Sequence, residues 1–430
     1  MLSREDNDVL CRVGPGTPGG TLMRRFWHPV CTSAQLPHPD CAPLRVRLLG
    51  EDYVAFRDTA GQVGFLEELC MHRGASLALG RVEEGGIRCL YHGWKFSASG
   101  AVLETPNHAD PKYAARMKAP AFPVREEGGI VWAYVGPIEL LPAFSRYAFM
   151  DAEPAHRVVL RINVSCNYLQ LVEGGEDSSH VGVLHTNMAR PGWKDNDFTP
   201  NPDVVNPAAL ASKDLEPALK IEETAFGFQY VALRKTHKPG VRNARVVPFI
   251  VPYGRIIPAP AFLFTVLEVP QDDTHTSTYI VVHGETPITE EKIIELLGLN
   301  DPRYYNRKDC TFTASWADTF GQNRELMKEN WTGLRGVEVE DATIGLSQGP
   351  LYDRSREHLV PADQAVVRVR RVLMESVKRA MEDKQPAALG LDLRGVSACD
   401  AQLEDGANWQ DLLPSHRQTV EAQESADARR

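Results

Sequence analysis

The sequence offers no apolar run approaching the roughly 20 residues that a membrane-crossing helix needs. Its first residues, MLSREDNDVL, are charged where an export leader is apolar. Neither membrane insertion nor export is expected, and the expected location is cytoplasmic. Cysteine is scarce: eight in 430 residues are too few for a disulfide scaffold. Positive charge is in deficit, with 47 Lys and Arg against 57 Asp and Glu and a formal charge of −10. Such a chain repels phosphate backbones, so nucleic acid is not an expected partner. A working dinucleotide loop is also missing. Gly14-Pro15-Gly16-Thr17-Pro18-Gly19 spells G-x-G-x-x-G, but two prolines interrupt it and no strand precedes it, as a βαβ unit would require. No plant-type C-x4-C-x2-C pattern is present either.

What is there is ordinary for a globular chain with a sizeable core: 43% hydrophobic and 24% charged residues. At about 150 residues per domain this length makes two or three domains. From about residue 44 to 105, short alternating segments and turns predict a small antiparallel β unit with long loops, including Leu44–Leu48, Tyr53–Phe56, Ile87–Leu90 and Trp94–Phe96. Pro137, Pro142 and Pro154 suit a boundary. Beyond it, strand-like runs at Phe228–Leu233, Phe262–Val269 and Thr278–Val282 mix with helical patterns. One helix is expected to follow a Thr289 cap; another carries Val366, Val369, Leu373, Val377 and Met381 and stops before Pro386. The second region is therefore read as α+β. Residues 386–430 are polar with little periodicity and are expected to be a partly mobile tail.

The loops of the β unit carry Cys70-Met71-His72 and Cys89-Leu90-Tyr91-His92: C-x-H, sixteen residues, then C-x-x-H. Zinc sites usually pair cysteine with cysteine and histidine with histidine along the chain. Here each loop supplies one of each, which fits a [2Fe–2S] cluster whose irons are held by two thiolates and two imidazoles respectively, the Rieske ligation. Neutral imidazoles in place of thiolates lower the cluster's negative charge and raise its reduction potential. Gly74, Gly93, Tyr91 and Trp94 would let two loops approach and shield the cluster.

A second constellation, Asp177-x-x-His180-x-x-x-x-His185, follows Asn167–Glu176. On a helix, Asp177 and His180 share a face. His180 and His185 would diverge by ~140° on an ideal helix, so both reach one metal only if the helix is distorted or ends between them, which Gly182 permits. Two histidines plus a carboxylate with open positions form the facial triad of oxygen-activating non-haem iron. A Rieske cluster supplies single electrons and such an iron consumes them, so the two motifs explain each other. Chemistry alone leaves Glu338, Glu340, Asp341 and Asp353 open as the third ligand. An exposed acidic turn would fit Glu338 and Glu340 better than Asp341.

The segment CMHRGASLALGRVEEGGIRCLYHGWKF resembles the Rieske domain of aromatic ring-hydroxylating oxygenases. The segments Val337–Asp341, Gln348-Gly349-Pro350 and Asp353-Arg354-Ser355 look like the branch of the phthalate and 3-chlorobenzoate dioxygenase oxygenase components, and the likeness covers nearly all of residues 1–385. The resemblance implies an α+β architecture: an N-terminal segment (1–40) packing on the catalytic domain, an antiparallel β Rieske [2Fe–2S] domain (41–145), a helix-grip-like catalytic domain with mononuclear Fe(II) (146–385) and a tail (386–430). It implies Cys70, His72, Cys89 and His92 as cluster ligands and His180, His185 and Asp341 as iron ligands. It assigns Asp177 to the catalytic machinery, bridging an iron histidine and a Rieske histidine of a neighbouring subunit. A homotrimer or stacked trimers and a separate NADH-dependent reductase follow from the same likeness.

The branch attacks aromatic carboxylates, so a cationic anchor in an apolar pocket is expected. Arg binds carboxylate through two parallel hydrogen bonds. Arg245, followed by Val246-Val247-Pro248-Phe249, is the first choice, with Arg234 second and Arg242 and Arg190 further candidates. No arginine lies between Arg190 and Arg234, which tilts the expectation from a dicarboxylate such as phthalate toward a monocarboxylate such as 3-chlorobenzoate; Lys194, Lys213 or Lys220 could serve instead. The expected reaction is O2- and reductase-dependent cis-dihydroxylation. Alternatives are monooxygenation or O-demethylation of an aromatic acid and, in a different class, a Rieske electron carrier without catalysis.

Overall fold

The computed structural model describes residues 2–108, 110–185, 214, 216–236, 238–259 and 261–413. Ser3 opens the chain's first helix, α1 (Arg4–Cys11), its hydroxyl accepting from the Asp6 N–H. Thr17 does the same for α2 (Pro18–Met23), whose first residue is proline. The glycine-rich stretch is therefore a turn into a short helix. Its glycines serve close packing: a Cβ on Gly20 would lie 2.2 Å from the Gly14 carbonyl oxygen.

The first β unit contains β1 (His28–Thr32), β2 (Leu44–Leu48), β3 (Glu51–Arg57), β4 (Val63–Glu67), β5 (Arg81–Glu83), β6 (Gly86–Arg88), β7 (Lys95–Phe96), β8 (Val102–Glu104), a helical turn α3 (Pro111–Ala114), β9 (Val124–Glu127) and β10 (Ile130–Ala133). They form antiparallel sheets ordered β2-β3-β4, β5-β6-β7-β8 and β1-β10-β9. Strand alternation explains why β3 is buried on both faces. Val54 and Phe56 point into the small core beneath the cysteine loops, with Leu66, Ile87 and Phe96. Tyr53 and Ala55 point into the main core.

The second unit is a ten-stranded sheet: β11 (Arg157–Val164), β12 (Ala218–Thr224), β13 (Gly227–Lys235), β14 (Val241–Ile250), β15 (Gly254–Pro258), β16 (Leu263–Asp272), β17 (His275–His283), β18 (Tyr305–Asn306), β19 (Thr311–Phe312) and β20 (Cys399–Glu404). Its order is β12-β13-β14-β15-β16-β17-β11-β19-β18, with β20 on β14 and one parallel pairing, β11 with β19. Helices α4 (Tyr168–Glu176), α5 (Glu290–Leu297), α6 (Val337–Ser347) and α7 (Gln364–Met381) pack around it. The architecture is α+β. Thr289 stands at the cap position of α5, but its side chain makes no capping bond. The stretch expected to be a partly mobile tail contributes β20, antiparallel to Val241–Val246. Cys399, Ala401 and Leu403 alternate with Asp400, Gln402 and Glu404, a period of two that the polar composition masks. No helix among the described residues is long and apolar enough to cross a membrane.

Two sets of polar contacts fix the frame. The turn between β2 and β3 lies on the end of β16: the Gly50 N–H donates to the Gln271 carbonyl at 2.7 Å, and Arg47 Nε pairs with Asp272 at 2.7 Å. In the interior, the Glu173 carboxylate of α4 receives Arg354 Nε at 2.8 Å and Arg370 Nε at 2.6 Å. Arg354 also donates to Asn7 of α1, so one buried ion cluster ties α1, α4 and α7 together.

Candidate metal centres

The two cysteine loops are near copies of one turn. The Gly74 N–H donates to the Cys70 carbonyl and the Gly93 N–H to the Cys89 carbonyl; Cys70 and Cys89 donate in turn to the carbonyls of Ala75 and Trp94. Gly74 and Gly93 have φ of 71° and 75°, the left-handed region that only glycine adopts without strain. The turns bury both thiols and leave His72 and His92 half-buried. The thiols of Cys70 and Cys89 are neighbours. Burial pushes the Cys70 thiol up to about 11, opposed by the N–H groups of His72 and Arg73. The imidazoles of His72 and His92 lie 4.5 Å apart, centroid to centroid. Trp94 stacks on His72 at 4.7 Å and is held by Asn107 through its indole N–H. His92 Nδ1 is buried without a hydrogen-bond partner. An orphaned imidazole nitrogen beside paired thiols is a donor set that fits a Rieske cluster. Among the described residues, ligand atoms converge within 4.8 Å of one another, as a single ion requires, at His180, His185 and Asp341, not at the cysteine loops. Leu69, Met71, Leu90 and Tyr91 form an exposed apolar rim around the cysteine loops.

The second centre begins where α4 ends. The sequence pattern places Asp177 and His180 on one helical face, but the helix stops at Glu176 and Asp177 is extended, with φ −77° and ψ 112°. Its Oδ1 accepts the Ser179 N–H at 2.7 Å, a local bond that competes with helix continuation. A single 3-10 turn, His180–Gly182, follows. The break turns His180 and His185 toward each other, with ring centroids 5.1 Å apart. From α6, Asp341 Oδ1 comes within 3.7 Å of His180 Nε2 and 3.2 Å of His185 Nε2. Burial alone would lower the His185 pKa, but Asp341 and Glu340 raise it to about 10. Burial alone would raise the Asp341 carboxyl, which His185 and His180 hold below its ordinary range. Two imidazole nitrogens and one carboxylate oxygen with an open side are a donor set that fits Fe(II). Asp177 Oδ2 stands 3.7 Å from His180 Nδ1, on the ring edge away from Asp341.

Glu338 and Glu340 do not form an exposed acidic turn. Both lie on α6, whose packing against α4 buries Glu340 at 2% exposure. Glu340 holds His185 Nδ1 at 2.8 Å. Glu338 faces the cavity beside the triad, and burial with Asp341 and Glu268 nearby holds its carboxyl well above the usual range. Asp353 caps the 3-10 turn Arg354–Arg356 instead of joining the triad.

The triad forms part of the wall of a cavity of about 370 Å³, lined by apolar side chains that include Val247, Ile257, Phe262, Phe264 and Ile280. A second, more polar cavity of about 230 Å³ shares Asp177, His180 and Asp341 with it. Arg245 lines the first cavity and is paired with Asp400 of β20 at 3.0 Å. Arg234 is 1% exposed and is committed to the loop, donating to the Ser178 carbonyl and hydroxyl; it braces the segment between Asp177 and His180. Arg242 pairs with Asp405. Arg190, Lys194 and Lys213 lie outside the described residues, and Lys220 is exposed on β12. Sequence reasoning missed Arg255, which lines both cavities and donates to Glu268 at 2.8 Å. Its only signal is a charge inside the short strand Gly254–Pro258.

A family model described as "Rieske [2Fe-2S] domain" matches residues 26–123, and one described as "LigXa C-terminal domain like" matches residues 133–427. The chain is 37% identical over 391 residues to a phthalate 4,5-dioxygenase oxygenase subunit of Pseudomonas putida, covering 88% of this chain and 86% of that one. It is 32% identical over 411 residues to a 3-chlorobenzoate-3,4-dioxygenase oxygenase subunit of Comamonas testosteroni, covering 91% and 92%. A 5,5'-dehydrodivanillate O-demethylase oxygenase subunit of a Sphingobium species is 41% identical over 396 residues, covering 90% and 84%. The crystal structure of dicamba monooxygenase bound to dicamba superposes with a TM-score of 0.57 at 19% identity, covering 84% of this chain and 98% of that one.

Proposed function

Because the chain belongs to the Rieske non-haem iron aromatic ring-hydroxylating oxygenases, in the branch of the phthalate and 3-chlorobenzoate dioxygenase oxygenase subunits, we propose that it catalyses the O2-dependent cis-dihydroxylation of an aromatic carboxylate. As a terminal oxygenase of that family it is an oxidoreductase that uses a Rieske [2Fe–2S] cluster and mononuclear iron. When bound, the cluster supplies single electrons and the iron activates O2.

The observation that carries the proposal is the convergence of His180, His185 and Asp341 on the wall of a mostly apolar cavity. In this reading Cys70, His72, Cys89 and His92 would hold the cluster and His180, His185 and Asp341 the iron, and the adjoining cavity would take the substrate. Phe262, Phe264, Val247 and Ile257 exclude water and pack the aromatic ring. Arg245 faces the carboxylate, its charge moderated by Asp400. Arg255 lines the same cavity but is held by buried Glu268 at 2.8 Å, so with Arg245 as the anchor the reading is a monocarboxylate, 3-chlorobenzoate-like before phthalate-like. Asp177, which lines both cavities, would steady His180 and stand on the electron-entry side of the site. A separate NADH-dependent reductase delivers them, and the assembly is a homotrimer or stacked trimers. A second reading is O-demethylation or another monooxygenation, favoured by the 41% identity to a subunit named for that activity.

The test supplies loaded protein, NADH and a reductase with 3-chlorobenzoate, phthalate and a methoxybenzoate under 18O2. A diol carrying two labelled oxygens supports dioxygenation. One labelled oxygen, or loss of formaldehyde from the methoxy compound, supports the second reading. Consumption of NADH without any oxygenated product from these acids would overturn the carboxylate assignment.

A further inference from the structure

Both histidines of the triad are backed by a carboxylate, but the two pairs are built differently. Behind His180, Asp177 stands 3.7 Å from Nδ1 and lines both cavities. Behind His185, Glu340 Oε2 lies 2.8 Å from Nδ1, and both side chains are almost wholly buried, at 5% and 3% exposure. The other Glu340 oxygen is also occupied: Thr332 Oγ1 donates to Oε1 at 2.7 Å. The Thr332 hydroxyl oxygen in turn accepts the Leu334 N–H at 3.1 Å, and for its single proton the carboxylate at 2.7 Å is a nearer acceptor than the Asn330 side-chain oxygen at 3.3 Å. A chain of donors therefore runs from the Leu334 backbone through Thr332 to Glu340, and from the other side His185 Nδ1–H donates into the same carboxylate.

This arrangement decides which nitrogen of His185 is free. An ionised carboxylate only accepts, so Nδ1 keeps its proton and Nε2, on the side of Asp341, is the nitrogen that can give up its own to a metal. Glu340 and Asp341 are consecutive on α6, so one helix supplies a ligand and the group that orients a second. We propose that Glu340 is a positioning residue, fixing the tautomer and ring plane of His185 so that Nε2 meets the metal, with Thr332 holding Glu340. The inference rests on the reading of His185 as a ligand.

The experiment measures the dissociation constant for Fe(II), and for Co(II) as a redox-inert probe, by anaerobic chelator competition. It uses the full chain with its Rieske cluster in place, monitored by the visible spectrum. Removing an outer partner of a metal histidine typically weakens metal binding about 10–100-fold. Glu340→Gln keeps an acceptor for Nδ1 but loses the charge, so a roughly tenfold loss is expected; Glu340→Ala loses both, for roughly 100-fold. Thr332→Val is expected to fall between parent and Glu340→Gln, and it carries the test with Glu340→Gln if Glu340→Ala does not fold. A merely structural glutamate would change the melting temperature without this ordered loss of metal affinity at matched folded fraction. The control is His185→Ala. If it loses the metal while Glu340→Gln and Thr332→Val bind like the parent, the positioning role is overturned and the ligand reading survives. If His185→Ala binds like the parent, the ligand reading itself fails.

Discussion

Cys70, His72, Cys89 and His92 come from two tight turns of one small β unit, each closed by a left-handed glycine and rimmed by exposed apolar side chains. His180, His185 and Asp341 come instead from a helix break and a distant helix, and each histidine is backed by a carboxylate, the one behind His185 buried. Covalent proximity holds the first set; tertiary packing holds the second. The consequence is a difference in vulnerability. The cluster loops depend on backbone conformation at two residues, whereas the triad depends on the alignment of α4 with α6 and on the ions that clamp α4.

The sharpest way to break this comparison is to empty one centre at a time. The loaded protein is expected to hold about three irons and about two acid-labile sulfides per chain. His180→Ala should fall to about two irons with both sulfides and its cluster spectrum intact, and turnover should vanish. Cys89→Ala should lose sulfide and cluster while the mononuclear iron still binds. Loss of both centres in either variant would show that they are not independently built.

Next in size is the clamp on α4. Arg354 is fully buried against Glu173, and removing one partner of a buried pair costs about 3–5 kcal/mol. Arg354→Ala should lower the urea midpoint accordingly and loosen the mononuclear iron before the cluster. An unchanged midpoint would mean that Arg370 and apolar packing hold α4 without Arg354.

The seam between the two units predicts a pH dependence. Burial by itself would raise the Asp272 carboxyl, but Arg47, the Thr274 N–H and His275 bring it down to about 2. A carboxyl whose pKa is depressed on folding stabilises above its unfolded value, about 3.9, and loses that contribution as pH falls toward 2. The expected loss is about 2 kcal/mol, read as a falling urea midpoint between pH 5 and pH 2.5. Asp272→Asn should flatten that slope.

The smallest effect distinguishes the two near-identical cluster turns. Gly74→Ala and Gly93→Ala each force a side chain into the left-handed region, at about 1–2 kcal/mol. A Cβ on Gly93 would also press on Pro106 at 3.1 Å, whereas Gly74 meets nothing within 4 Å. Gly93→Ala should therefore be the more destabilising in thermal melts, and equal shifts would show that Pro106 yields.

How much of this could be read from the chain follows the same division. The cysteine loops are legible because their ligands lie within one stretch whose spacing is itself the chemistry. The histidines are legible as a pair, but the end of α4 is not, since Asp177 ends it with a side-chain bond that propensity does not reveal. Asp341 is separated from its neighbours by a whole sheet, and only resemblance selected it. Glu340 looks like any acidic residue of a solvated turn until α6 packs. Arg234 looks like an anchor until its guanidinium is found on the Ser178 backbone. The strand at 399–404 is hidden for a simpler reason: half of its alternating residues are charged or amide.

That strand has one more consequence. β14 is ten residues long, but β15 pairs only with its last two, Phe249 and Ile250. Without Cys399–Glu404 the ladder edge from Val241 to Val246 would lie open, an invitation to pair with the same edge of another molecule. The late strand is thus a cover against self-association. A chain cut before Cys399 is expected to gather into β-rich aggregates during expression even where its metal ligands remain intact.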